Sequence, residues 1–445
     1  MADAPREQWN SRAGFILAAV GSAVGLGNMW RFSYLTAEKG GAAFVLLYLA
    51  FTLAVGLPVM LAELVLGRGA RRGPIQALAH FGGPAWKILG AVFVAAGFVI
   101  LSYYSVIAGW TVRYAAEALF TGFAADSGAH FGEISEGWDA FLFHLIVMAA
   151  TVGVVLGGVR GGIEKVAMIA MPGLFLLVII IAIYAGGLQG SGAGYDYYLN
   201  ADYSNAFSID VLVAAAGQAF FSLSLGMGVM LTFASYLPRE SNLPDESLVI
   251  AGSDFGVAFV AGLMVFPLIF ALGLSGDVGE STLGALFVVM PKAFASMGAG
   301  GHVLGFLFFL TLIVGALTSA ISLLEVVVAA SMDGLGWTRR RATLSAGAAI
   351  AVLGTLSAWS IDVLDVMDQM GTNLFLLGGG LGVAVFVGWI MEDPEGEARV
   401  GAEGVPWFFL WRTLLRFVVP VVLLFVLWHS VPATFRSIGA LLFGS

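Results

Sequence analysis

Cysteine is absent from the 445 residues. That excludes disulfides, thiolate metal centres and cysteine nucleophiles. Charge is scarce as well: 11% Asp, Glu, Lys and Arg against 59% hydrophobic residues. A soluble protein carries about 25% and roughly 45–50% of these. With a mean hydropathy of +0.94, the chain reads as an integral membrane protein whose partner is the lipid bilayer. No polar stretch is long enough for a separate soluble domain. Basic residues are fewer than acidic ones, 20 against 29, for a net charge of −9, which argues against nucleic acid. The five histidines (His80, His130, His144, His302, His429) form no ligand-spaced pair, so isolated polar or interfacial roles are expected. No His/Ser/Asp or metal constellation points to an enzyme. The opening residues MADAPREQWNSR lack the apolar core and cleavage site of a secretory signal, so the first apolar segment is expected to persist.

Long apolar runs are what the chain has in abundance. A spanning helix needs about 20 apolar residues. Eleven segments qualify, near 14–37, 42–67, 88–120, 138–157, 164–186, 206–237, 246–272, 302–332, 342–358, 367–391 and 406–430. The expected fold class is all-α and polytopic, one transmembrane domain over 1–445. Stretches such as GLQGSGAGYDYYLNADYSN and EDPEGEARVGAEG read as connections. Arg6 and Arg12 precede segment 1, and Arg68, Arg71, Arg72 and Lys87 lie between segments 2 and 3. Arg160 and Lys165, then Arg239, then Arg339, Arg340 and Arg341 occupy the next even-numbered connections. The alternate connections hold only Lys39 and Lys292 before the tail. The N-terminus is therefore expected in the cytoplasm and the C-terminus outside the inner (cell) membrane. The tail VPATFRSIGALLF is too short to span and is expected along the surface.

Two segments are interrupted at mid-depth. Segment 1 carries GSAVGLGNMWRF, and segment 6 carries FFSLSLGMGVM. Glycine in a helix interior costs roughly 1 kcal/mol relative to Ala, and unpaired backbone in lipid costs several kcal/mol per group. One reading is a packing surface, since Gly21-x-x-x-Gly25 is a small-xxx-small pattern. The other rests on position: segments 1 and 6 each open a block of five, 1–186 and 206–391, with 406–430 left over. Paired breaks of this kind mark a secondary transporter's binding site, and an odd number of spans per block makes the blocks inverted repeats. Free N–H groups at a break attract a carboxylate, and free carbonyls attract a cation. In GALTSAIS, Thr318 and Ser319 either bond back to their own helix or serve as an oxygen ligand pair for a hard cation.

The stretch REQWNSRAGFILAAVGSAVGLGNMWRFSYLTAEKGGAAF strongly resembles the first helix of the neurotransmitter:sodium symporter family, and GQAFFSLSLGMG, GALTSAIS and LDVMDQMGTN resemble its helices 6, 8 and 10. The resemblance, to bacterial members of the leucine-transporter type, runs in order from Arg6 to about segment 11. It implies ten core helices in two inverted repeats and Na⁺-coupled uptake of amino acids or amines by alternating access. Two Na⁺ sites are implied. One takes Ala23, Asn28, Ser222 and Asp254 together with the substrate carboxylate; the other takes Gly21, Val24, Gly315, Thr318 and Ser319. A ligand shared by ion and substrate would couple their affinities. The implied substrate pocket is Ser22, Ala23, Leu26, Gly27, Ile100, Tyr104, Phe221, Ser222, Ser224, Met227, Ser319 and Leu323, with the Tyr104 hydroxyl on the carboxylate. Amine-carrying relatives place an aspartate where this chain has Gly25, so the expected substrate is an amino acid. The apolar lining and Met227 favour hydrophobic ones, branched or aromatic.

The resemblance also pairs charges. Arg31 with Asp368, under a Phe221 lid, would form an outer gate; Arg6 with Asp333, beside Trp9, an inner one. Asp254 stands where relatives usually have Asn, and Ala258 where chloride-dependent members have Ser. The expectation is that Asp254 supplies the negative charge and no chloride is required. Glu63 either hydrogen-bonds the unwound part of segment 6 or packs elsewhere. Glu325 either lines the ion exit or pairs with a cation. Gly162 and Pro172 mark segment 5 as easily kinked, to admit water or for ordinary structural reasons. A proton-coupled carrier of the same fold and a non-transporting amino-acid sensor remain as alternatives; the oligomeric state is not legible.

Overall fold

The computed structural model describes residues 6–201, 203, 204, 206–274 and 285–443. Among these the only extended pairing is a single bridge between Gly41 and Ala201; the protein is otherwise helices and turns. Helix 1 is a bent pair, Arg12–Ala23 and Gly27–Glu38, meeting at 59°. Helices 2 to 5 are Ala42–Ala70, Pro84–Phe120, Gly137–Leu156 and Val159–Gly186. Helix 6 is two pieces, Ile209–Ser222 and Val229–Ala234. Helices 7 to 11 are Leu243–Ala271, Ala299–Leu335, Arg339–Trp359, Ile361–Ile390 and Phe408–Phe443. Nine of these pass as unbroken spans, and helices 1 and 6 make up the expected eleven. The two broken ones open the two five-helix repeats.

Side-chain oxygens set several starts. Ser11, Ser208, Asn242, Thr338 and Ser360 each accept a backbone N–H from the first turn of the helix they precede, satisfying donors that helix geometry leaves over. Helix 8 runs through the middle, its apolar window 72% buried, whereas that of helix 11 is only 22% buried. Phe409, Phe417, Val421, Leu424 and Trp428 point outward from helix 11, as a lipid-facing surface requires. His144 is a satisfied core residue. Its ring nitrogens lie 2.8 Å from the Ser105 hydroxyl and 3.0 Å from the Ala351 carbonyl, tying helices 3, 4 and 9. A Cβ on Gly354 would sit 2.5 Å from that ring, so glycine makes the room.

Three expectations are corrected. The tail after residue 430 does not turn along the surface as a separate segment: helix 11 continues through Pro432 to Phe443. Proline removes one hydrogen bond without forcing a stop. Helix 10 starts at Ile361 rather than 367 because the Ser360 hydroxyl caps it, and Asp362 and Asp365 are polar residues within a helix. The two polar connections contain helices of their own, Ser191–Leu199 and Pro394–Arg399. The second is held by Arg68, which is fully buried and bonds Glu397 and the carbonyls of Ser241 and Val400. Arg68 is thus more than a positive charge in a connection; it clamps helix 2 to the connections that follow helices 6 and 10.

Candidate functional site

Helix 1 loses its regular ladder at Val24 and Gly25, and the freed groups find partners at once, as buried backbone must. The Gly25 N–H reaches the Asn28 Oδ1 at 3.2 Å, and the Leu26 N–H points at the Tyr104 hydroxyl at 3.5 Å. The Ser22 carbonyl accepts from the hydroxyls of Ser224 and Ser319, and the Gly27 carbonyl accepts from the Gln218 amide at 3.1 Å. The break therefore lies against helices 3, 6 and 8.

The helix 6 break, Leu223–Gly228, turns through left-handed backbone at Ser224, Gly226 and Gly228. Glu63 of helix 2 accepts the Gly226 N–H at 2.8 Å and the Leu231 N–H at 3.4 Å, so of its two readings the first holds. A Cβ on Gly226 would lie 2.0 Å from the Leu376 carbonyl, and one on Gly379 2.0 Å from the Gly226 carbonyl. The broken turn and the glycine run of helix 10 thus need each other bare.

Between the breaks lies a cavity of about 40 Å³ lined by Ser22, Ala23, Gly25, Gly27, Ile100, Tyr104, Phe221, Ser222, Ser224, Met227, Ser319, Ser322 and Leu323. All the expected pocket residues meet there except Leu26, whose side chain is in the core. Gly25 and Ser322 are additions. The volume is near the ~30 Å³ share of one water molecule, so an amino acid enters only if the walls move apart. A Cβ on Gly25 would meet the Ser319 hydroxyl at 2.7 Å and the Tyr104 hydroxyl at 3.1 Å, and an aspartate there would collide.

Two oxygen clusters flank the cavity. In the first, Asp254 is completely buried and takes hydrogen bonds from the Asn28 amide (2.7 Å), the Ser222 hydroxyl (2.8 Å) and the Tyr48 hydroxyl (3.0 Å). Every one of these donors is neutral. A buried carboxylate without a cationic side chain is costly to hold charged, so the donor set suits a cation. In the second, the Thr318 and Ser319 hydroxyls both donate to the Gly315 carbonyl, at 3.1 and 3.0 Å, as a Thr-Ser pair ordinarily does. Ser319 also reaches the Gly21 carbonyl at 3.5 Å. A Cβ on Gly315 would be 3.3 Å from the Val24 carbonyl, so all five expected residues are brought together as neutral oxygens. Tyr48, Gln218 and Ser322 escaped the sequence reading. A lone tyrosine in LLYLAF and a lone glutamine in AAAGQAFF were the available signals.

The two gates differ. On one side of the cavity Arg6 bonds Asp333 at 2.7 Å and the Ser235 hydroxyl at 2.8 Å, and the Trp9 indole donates to the Phe233 carbonyl at 2.9 Å. Glu325 pairs with Arg339 at 2.7 Å and accepts from the Tyr236 hydroxyl at 2.6 Å, so it is a cation partner. Glu164 accepts the N–H groups of Asn10 and Ser11, and Glu7 accepts that of Val159, closing the start of helix 5 onto the N-terminal segment. On the other side Arg31 lies over the Phe221 ring, 4.7 Å from its centroid. No ion pair joins Arg31 to Asp368 among the described residues, although both charges act electrostatically on Tyr103.

Two spans broken at mid-depth around a small cavity, with oxygen clusters at its sides, define a secondary transporter of the broken-helix class. The chain belongs to the sodium:neurotransmitter symporter family, whose profile it matches over residues 6–131 and 124–439. An uncharacterized sodium-dependent transporter, YhdH, of Bacillus subtilis is 34% identical, over 94% of this chain and 96% of its own. One of Methanocaldococcus jannaschii is 31% identical, over 94% and 89%. The sodium-dependent serotonin transporter of Drosophila melanogaster is 27% identical, over 98% and 78%. The crystal structure of MhsT in complex with L-phenylalanine is 40% identical and superimposes with a TM-score of 0.87, over 96% of this chain and all of that one. The protein is a sodium-dependent membrane transporter, and its family is one of transporters, not enzymes.

Proposed function

We propose that the protein is a symporter of hydrophobic L-amino acids, branched or aromatic, driven by two Na⁺ and independent of chloride. The observation that carries this reading is the buried Asp254 carboxylate, held by neutral donors only, beside the helix 1 break. A Na⁺ bound at Ala23, Asn28, Ser222 and Asp254 would balance that charge and complete its shell with the substrate carboxylate. Substrate and ion then raise each other's affinity by the same factor. Asp254 brings its own negative charge, so no chloride is needed to balance the ion. The neutral cluster at Thr318 and Ser319 takes the second Na⁺. Gly25 leaves the substrate to bring its own carboxylate, which the Leu26 N–H and the Tyr104 hydroxyl receive. MhsT, with L-phenylalanine bound, supports an amino-acid cargo. The gates support alternating access across the cell membrane, with the N-terminus in the cytoplasm. Two Na⁺ moving down a tenfold gradient and 100 mV contribute about 7 kcal/mol, enough for about 10⁵-fold accumulation.

The test is a binding screen of the twenty amino acids on the purified protein, with Na⁺ or choline, and with chloride or gluconate. Leucine- or phenylalanine-like ligands should bind only with Na⁺ and equally well without chloride. Collapse of binding in gluconate would refute the role given to Asp254. Uptake and counterflow in proteoliposomes separate a carrier from a sensor.

A further inference from the structure

One face of helix 3 carries Trp110, Tyr114 and Glu117, at the spacing that aligns side chains along a helix. Two connections rest on it. The short helix Ser127–Ile134, between helices 3 and 4, sets Phe131 edge-on to Trp110, ring centroids 5.2 Å apart, and stacks it on Phe287 at 5.5 Å. Phe287 belongs to the connection between helices 7 and 8, and its carbonyl accepts from the Tyr114 hydroxyl at 2.7 Å. The neighbouring His130 meets the Tyr114 ring edge-on and brings its Nε2 to 2.5 Å from Glu117 Oε1.

The cluster around Glu117 is one positive charge short. Its side chain is only 3% exposed, and Oε2 has no hydrogen-bond partner among the described residues. Oε1 takes Arg113 Nη1 at 2.7 Å, but the same guanidinium gives its Nε to Asp139 of helix 4 at 3.0 Å. Two carboxylates therefore share one cation. The other ionisable groups on the packed elements are Asp126 and Glu133 on the helix of His130 and Lys292 on the helix 7–8 connection. Glu136, before helix 4, is engaged by the Ile361 N–H, and His302 of helix 8 lies beyond Phe123. The group placed to supply the missing charge is the imidazole at 2.5 Å from the carboxylate.

We propose that His130 and Glu117 form a proton-binding site that fastens the Ser127–Ile134 helix, and through Phe131 the helix 7–8 connection, to helix 3 in acid. A neutral imidazole gives Glu117 one N–H; an imidazolium gives the same N–H and a full positive charge with it. The hold is complete while the imidazole is charged and is lost as pH rises and the proton leaves. Helices 1 and 3 are both odd-numbered spans and end on the same side, so the clasp adds a pH-dependent restraint to the face where Arg31 rests on Phe221.

The experiment uses the full chain, whose lack of cysteine permits single probes. Cysteines are placed one at a time at Ile134 and Ala293, buried positions on the two connections. Each thiol-labelling rate is divided by that of a cysteine at the exposed Gly132, which cancels the pH dependence of the thiol itself. From pH 5 to pH 8 the ratio should rise about two- to fivefold for both probes. His130→Gln keeps an N–H for Glu117 but does not titrate in this range, and should give a ratio independent of pH. Should that variant not fold, Glu117→Gln, which removes the charge that the imidazolium meets, should give the same flat line. A ratio constant with pH while His130 and Glu117 are both in place, or a pH dependence that survives these substitutions, would overturn the inference. The readout needs no substrate, so it stands apart from the amino-acid reading.

Discussion

The two faces of the transporter are built differently. Below the cavity, Arg6, Asp333, Ser235, Trp9, Glu7, Glu164, Tyr236, Glu325 and Arg339 form hydrogen bonds and ion pairs that join the N-terminal segment to helices 5, 6, 8 and 9. Above it, a guanidinium rests on a phenylalanine ring. A cation–π contact contributes about 0.5–2 kcal/mol, far less than the combined inner network. The difference teaches which side yields first. The face held by one soft contact is expected to part more readily than the face where several charged bonds must break together.

The strongest way to break this asymmetry is Asp333→Ala. It strips the Arg6 guanidinium and the Gly73 N–H of their acceptor. The pair is partly exposed, 15% and 22%, so the loss should be about 1–3 kcal/mol, or about 5- to 150-fold in the inner-open population. The absence of native cysteine makes the readout clean: a single cysteine at Ala329, buried one turn before Asp333, should label faster by that factor. Phe221→Ala should act on the other face and more weakly. It removes the ring under Arg31, and a cysteine at Ile100 should label about 2- to 30-fold faster from outside. Asp368→Asn sharpens the comparison by doing little. Without an ion pair to lose, the same Ile100 probe in ligand-free protein should change by no more than about twofold. A large change there would mean that the outer gate is ionic after all.

What was legible in the sequence followed from chemistry that stands alone. Three glycines and an asparagine inside an apolar run can be read without knowing their neighbours, because a lipid-facing helix would not tolerate them. Of the two readings left open for Glu63, the one that holds follows from the same reason: an isolated acid in a membrane needs donors, and the broken turn of helix 6 has them. Residues whose role depends on what lies opposite were harder. Ser322 has no signal of its own within GALTSAIS, and its partnership with Ser22 spans 300 positions. Arg68 read as a surface charge until the loop carrying Glu397 folded over it. The tail was set apart because it is too short to span by itself, whereas in the fold it simply extends helix 11.

By itself the sequence determined that the chain lives in a bilayer, spans it about eleven times and breaks two of those spans. Burial of backbone in lipid leaves few solutions, and those solutions write themselves into composition and spacing. Which oxygens meet, which hydroxyl protons are spent and which gate is locked were decided by the tertiary structure alone. Such contacts join residues hundreds of positions apart, and their length changes when a transporter moves, whereas the order of residues along the chain does not.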